Sequence, residues 1–233
     1  MEFSDFESYF SSPRIERYLV ACSFDKERCI KLYKSNLYIS QAFHPLLGSL
    51  EVILRNGIND QLKRYFNNPD WILTEKTRFM VSPILLNHRN KRTGKLEKNR
   101  FLLNSVIKAE NNIYQRGMEV TSGRVISEQT FGFWTDLYET HHYKILRGRP
   151  IKIFKYLPNG VGRSEVLSEL NKVRQFRNRI NHNEPICFVG NHINFSNTKA
   201  VYQSIITLLQ WIDPELAVWF NDLDKVILTI ENA

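Results

Sequence analysis

An all-α, multi-helix bundle is the fold this chain predicts, and three observations predict it. Apolar residues recur at three- and four-residue spacing over several long stretches. No stretch of any length alternates apolar and polar residues as a half-buried strand does. The 10 Gly and 8 Pro are too few for a β protein studded with tight turns. The 233 residues allow one sizeable domain or two small ones, and 42% apolar content fills a core, which excludes disorder as the main state. We read a single domain over 1–233. It divides into N-terminal helices at about 13–66, a central basic and aromatic region at about 70–157, and a motif-bearing helix with C-terminal helices at about 164–231.

The elements follow in chain order. Ser12-Pro13 is a cap with a first-turn proline and opens a short helix through Arg14 to Ala21. From Asp25 to Phe43 the set Ile30, Leu32, Tyr33, Leu37, Tyr38, Ile39 and Phe43 has helical spacing. His44-Pro45 is expected to interrupt it, since the residue before proline avoids helical angles. Leu46 to Phe66 resumes with Leu47, Leu50, Ile53, Leu54, Ile58, Leu62 and Phe66 on one stripe, and Asn67-Asn68-Pro69 turns the chain.

The segment NHRNKRTGKLEKNR, 87–100, reads as an exposed basic loop. Helical periodicity returns from Phe101 to Tyr114, and Gly117 to Gly123 forms a second loop. Phe131, Phe133, Trp134, Leu137 and Tyr138 fit a buried helical face, before Gly148, Pro150, Pro158, Gly160 and Gly162 break the pattern. A helix begins at Ser164 with Val166, Leu167, Leu170, Val173, Phe176 and Ile180 on one side, and Pro185 closes it soon after His182. Thr198 to Ile212 and Pro214 to Ile230 are the last helices, joined by an Asp213-Pro214 corner.

Charge and cysteine usage narrow the setting. With 32 Lys and Arg against 24 Asp and Glu, the net charge of +8 is free to meet a polyanion. Cys22, Cys29 and Cys187 are scattered, with neither CxxC spacing nor a framework of pairs, so a reducing compartment is expected and neither disulfide nor zinc is implied. The acidic, aromatic start lacks the features of a signal peptide, and no apolar run approaches the roughly 20 residues of a membrane span. A cytoplasmic protein with no membrane partner is expected. His141-His142 has no carboxylate or cysteine beside it to complete a metal set, so no metal and no cofactor are expected.

Chemistry concentrates in RQFRNRINHNEPI, 174–186, at the end of the penultimate long helical stretch. His182 carries an imidazole, a group that moves protons near neutrality. Arg177 is a permanent, planar cation suited to oxygen anions. Asn178 lies four residues before His182, one turn back on the same helix face. Arg177 and His182 stand about 140 degrees apart on an ideal helix. The long Arg side chain, fraying of the helix before Pro185 or a second motif across a twofold axis would each bring them together, and the last two are favoured.

RNRINHNEPI resembles the signature of the Abi-like (abortive infection) family of the HEPN ribonuclease superfamily. LEVILRNGI (50–58), GRVISEQTFGFW (123–134) and LLQWIDPELAVWF (208–220) resemble its amino-terminal, central and closing elements. The likeness spans about 15 to 225 and implies a HEPN-type helical bundle with additional helices and a basic loop. It implies a metal-independent endoribonuclease, a toxin or phage-defence effector active as a homodimer. One departure stands out: many relatives have a second His where this chain has Asn183, so His182 acts alone within each chain.

The resemblance implies attack by the 2′-hydroxyl, giving a 2′,3′-cyclic phosphate and a 5′-hydroxyl, with His182 moving the proton, Arg177 stabilising the charge on the phosphorus oxygens and Asn178 orienting the imidazole or a phosphate oxygen. Glu51, Arg55, Asn56 and Asn183 are supporting candidates; Glu51 and Arg55 form an intrahelical pair or steer the active-site Arg or His. Arg174, Arg179, Arg89, Lys91, Arg92, Arg147 and Arg149 are candidate RNA-backbone contacts. An inhibiting partner, either an antitoxin protein or a small structured RNA, is expected. The alternative is a non-catalytic RNA-binding protein of the same fold, or a regulatory partner in a toxin–antitoxin or defence complex.

Overall fold

The computed structural model describes residues 1–89 and 94–233, with 71% of the chain helical against 2% strand, so the protein is all-α. Its first half runs α1 (Phe3–Phe10), α2 (Ser12–Ala21), α3 (Lys26–Phe66) and α4 (Trp71–Thr74). Short 3-10 segments at Glu75–Thr77, Phe79–Val81 and Pro83–Asn87 follow, then a small hairpin of β1 (His88–Arg89) and β2 (Leu96–Glu97). Next come α5 (Phe101–Gln115), α6 (Ser122–Glu128), α7 (Phe131–Asp136), α8 (Thr140–Ile145) and a 3-10 turn at Arg149–Ile153. The chain ends with α9 (Arg163–Asn181), a hairpin of β3 (Phe188–Val189) and β4 (His192–Ile193), α10 (Ser196–Ile212), α11 (Pro214–Trp219) and α12 (Val226–Glu231). Both hairpins are antiparallel, pairing His88 with Glu97 and Phe188 with Ile193.

Several elements differ from the sequence expectation, each for a physical reason. α3 passes through Pro45 without interruption. Proline removes one backbone donor and costs about 3 kcal/mol inside a helix. The flanking side chains Phe43, Leu46 and Leu47 are buried, each contributing about 1.5–3 kcal/mol, so packing outweighs the local penalty. α1 is an addition to the expected elements; its Phe6 is buried, and the ring lies edge-on to Tyr33 at 5.4 Å. The expected helix over 214–230 is two short ones. Asp224 anchors the start of the second: one carboxylate oxygen accepts the Val226 N–H at 3.0 Å and the other the Tyr202 hydroxyl at 2.6 Å. Among the described residues α3 alone has the length and composition to cross a membrane. Its apolar stripe is inside the protein, with Ile39, Phe43, Leu46, Leu50 and Leu54 fully buried.

The chain divides into two units. The first comprises Met1–Ser49, Lys172–Gln210 and Pro214–Ala233; the second comprises Leu50–Asn171 and Trp211–Asp213. In the first, one cluster joins Phe6, Ile15, Tyr18, Leu32, Tyr33 and Phe188 with all three cysteines. Burial pushes the Cys29 thiol up to about 11 and the Cys187 thiol up to about 12. These are free, inert core thiols rather than reactive ones.

In the second unit Trp71, Phe131, Phe133, Trp134 and Tyr138 are buried, as their helical spacing predicts for the last four. The Tyr138 hydroxyl donates to the Pro150 carbonyl at 2.9 Å, and the Trp71 indole donates to Asn59 Oδ1 at 2.9 Å. Gly57 permits a close approach of α3: a β-carbon there would stand 3.2 Å from Ile153 Cγ2. His142 is buried with Nδ1 3.0 Å from Asp136 Oδ2, so it packs as an oriented core histidine.

Candidate functional site

The motif 174–186 sits at the C-terminal end of α9 and in the turn that follows, all within the first unit. Val173, Phe176 and Ile180 form the buried stripe of that helix, with the Phe176 ring 4.7 Å from Phe43. This packing fixes the helix axis and rotation, and therefore which motif residues reach solvent. Asn178 and His182 are exposed. Arg174 and Arg177 are half-buried, and each has an interaction partner.

α9 does not fray before Pro185, as one route to convergence required; it ends in a closed cap. Asn183 takes a left-handed conformation with φ 51°. Its N–H donates to the Ile180 carbonyl at 2.9 Å, and the Glu184 N–H donates to the Arg179 carbonyl at 2.8 Å. That pair of crossed bonds is the Schellman closure, which places His182 at the last half-helical position. The His182 N–H donates to the Asn178 carbonyl at 3.1 Å, so the two residues do lie one turn apart. Asn183, the departure from the motif, thus serves the backbone, since Asn tolerates left-handed angles better than most side chains.

The segment after the cap is held from four directions. Arg14 of α2 donates to the Asn183 carbonyl at 2.7 Å. Arg179 donates to the Pro185 carbonyl, and its Nε stands 3.5 Å from Glu184 Oε2. The buried Asn36 of α3 accepts the Ile186 N–H on Oδ1 at 2.8 Å, and Thr198 of α10 donates its hydroxyl to the Ile186 carbonyl. Arg17 stacks over the Phe188 ring at 4.6 Å and donates to the Gly190 carbonyl at 2.6 Å. Arg179 is therefore committed to its own turn, whereas the His182 ring projects from a braced support.

The remaining candidates lie elsewhere. Glu51, Arg55 and Asn56 are on α3 but in the second unit. Glu51 has an interaction partner, yet Arg55 is in no ion pair among the described residues, so the intrahelical Glu51–Arg55 pair does not form. Arg55 instead lines a cavity with Asn56, and its Nε is buried without a hydrogen-bond partner. Arg147 is exposed in the turn after α8, and Lys144 of α8, Lys152 of the 3-10 turn and Lys155 beyond it are exposed as well. Arg149 is half-buried, its guanidinium 5.1 Å above the Tyr65 ring. Arg89 belongs to β1, and Lys91 and Arg92 lie outside the described residues. No group of three or more His, Cys, Asp or Glu among the described residues is arranged to hold a metal ion.

Sequence reasoning missed Asn59, Lys63, Asp70 and Gly123, which line the same cavity as Arg55. One signal was present: Arg55, Asn59 and Lys63 recur every fourth residue, a polar row along one face of an otherwise apolar helix. Compared with models of known families, with curated proteins and with solved structures, this chain matches none.

Proposed function

We propose that the chain is a metal-independent endoribonuclease of the Abi-like HEPN kind, acting in the cytoplasm as a homodimeric toxin-type effector of phage defence. One observation carries the reading. His182 is exposed on a braced turn in which Arg179, Asn183 and the backbone of 184–186 are each tied down by named bonds. A proton-transfer group gains from such a mount, because its support does not move while the ring stays open to substrate.

In the reaction the 2′-oxygen of the substrate attacks the adjacent phosphorus and the bond from phosphorus to the 5′-oxygen breaks. His182 takes the 2′-proton or delivers one to the leaving 5′-oxygen. Arg177 supports the charge on the non-bridging oxygens. With the end of α9 closed rather than frayed, a single chain keeps Arg177 and His182 on different sides of the helix. A second copy of the motif across a twofold axis supplies the missing partner for each, which is why the active unit is taken as a dimer. An inhibiting protein or small RNA partner belongs to the same proposal.

The test compares wild type and His182→Ala on total RNA in EDTA. Loss of cleavage by about 100-fold or more in the variant supports the reading. Equal activity, or a strict metal requirement, overturns it. A second reading, RNA binding without cleavage, is favoured by the partner that the half-buried Arg177 already has. It predicts no cleavage by wild type and salt-sensitive binding through Lys144, Arg147, Lys152 and Lys155.

A further inference from the structure

The polar row on α3 faces a cavity of about 410 Å³ within the second unit. Arg55, Asn56, Asn59 and Lys63 line it from α3, and Asp70 at the start of α4 and Gly123 of α6 are among the rest of the lining. Donors dominate. Arg55 Nε is buried with no hydrogen-bond partner, and neither Arg55 nor Lys63 has an ion pair among the described residues. Asn59 commits its Oδ1 to the Trp71 indole, which leaves its NH2 as the group to offer. Asp70 accepts the Ser122 hydroxyl on Oδ1, and its Oδ2 remains as the one carboxylate acceptor among the six residues.

We propose that this cavity binds a sugar phosphate, with the phosphate on Arg55 and Lys63 and a sugar hydroxyl on Asp70. A guanidinium fork and an ammonium suit the oxygens of a phosphate, while a carboxylate opposes a bare anion and welcomes a hydroxyl donor. The volume lies within the range of small-molecule sites and exceeds what one anion needs. A free nucleotide and a unit of RNA backbone present the same chemistry. The inference does not rest on RNA cleavage, because its observable is binding in the unit that lacks Arg177 and His182.

Gly123 supplies a test that spares the cationic residues. A β-carbon there meets nothing within 4 Å, and the position is the second of α6, where an acidic side chain suits the helix dipole. Gly123→Glu thus folds, fills the cavity and repels a phosphate. The experiment is calorimetric titration of the full chain with adenosine 5′-monophosphate, adenosine, inorganic phosphate and the dinucleotide adenylyl-adenosine.

The monophosphate is expected to bind at least about ten-fold more tightly than adenosine, with inorganic phosphate competing. Gly123→Glu, Arg55→Gln and Lys63→Gln should each weaken it by a similar factor while His182→Ala leaves it unchanged. Tighter binding of the monophosphate than of the dinucleotide assigns a free nucleotide; the reverse assigns the RNA strand. Three results overturn the proposal: no saturable binding of either nucleotide at millimolar concentration, equal affinity for adenosine, or undiminished binding by folded Gly123→Glu.

Discussion

At the end of α9, Arg179 gives its guanidinium to the Pro185 carbonyl and stands beside Glu184, whereas on α3 Arg55 keeps a buried Nε without any partner and faces a cavity. Both arginines lie on amphipathic helices, and in the sequence they look alike. The difference is what surrounds them. A chain reversal follows directly after α9, so its carbonyls come within reach of Arg179; α3 runs on for three turns past Arg55, so no turn is there to claim the charge. A charge that closes a turn contributes to stability, and one left unspent in a cavity is available to a ligand.

The contrast can be broken by measurement. The largest expected effect is on chemistry: His182→Ala should lower RNA cleavage about 10²–10⁴-fold with the melting temperature unchanged, because the exposed ring makes no side-chain hydrogen bond or ion pair among the described residues. A parallel fall in melting temperature would show that the ring belongs to the turn instead. Arg179→Ala is next. It should cost about 1–3 kcal/mol in urea unfolding by orphaning the Pro185 carbonyl, and leave RNA affinity unchanged. Lost affinity at unchanged stability would return Arg179 to the RNA surface and dissolve the contrast with Arg55.

Asn183→Ala is a smaller perturbation of the same turn. The left-handed backbone there should make alanine cost about 1 kcal/mol, and Asn183→Gly should recover it; equal stability of all three proteins would show that the cap does not depend on this side chain. A separate effect is on alkaline stability. Cys187 follows Ile186 in the pinned segment, and burial raises its thiol from 9.0 to about 12, with Cys29 raised to about 11. A folded-state pKa above the unfolded one means that the unfolded chain releases its proton first as pH rises. Stability is therefore complete below about pH 9 and falls as pH climbs toward 12. A urea midpoint that stays flat from pH 8 to about 11 would contradict the burial of these thiols.

Much of the fold is legible in the chain alone, and the exceptions share a cause. Helical periodicity locates α2, α5, α9 and α10 and picks out buried residues such as Phe131, Trp134, Val173 and Ile180. Pro45 misleads because its local preference is about 3 kcal/mol, while the burial that overrides it comes from residues distant in sequence. The three cysteines read as scattered, and the fold gathers them into one core cluster across 165 residues of chain, from 22 to 187. Asn183 reads as a missing histidine, and its left-handed backbone supplies a different reason for its presence.

The sequence by itself determined the helical class, because the 3.6-residue period is local and apolar stripes must be buried wherever the helices go. It also determined which side chains are capable of proton transfer and charge stabilisation, since those are properties of His182, Arg177 and Arg55 as chemical groups. Only the tertiary structure decided which of the charges are already spent. Asn36 reaches the turn after α9 from 150 residues away, and Gly123 of α6 comes to line the same cavity as Arg55 and Lys63 of α3, pairings of residues far apart along the chain.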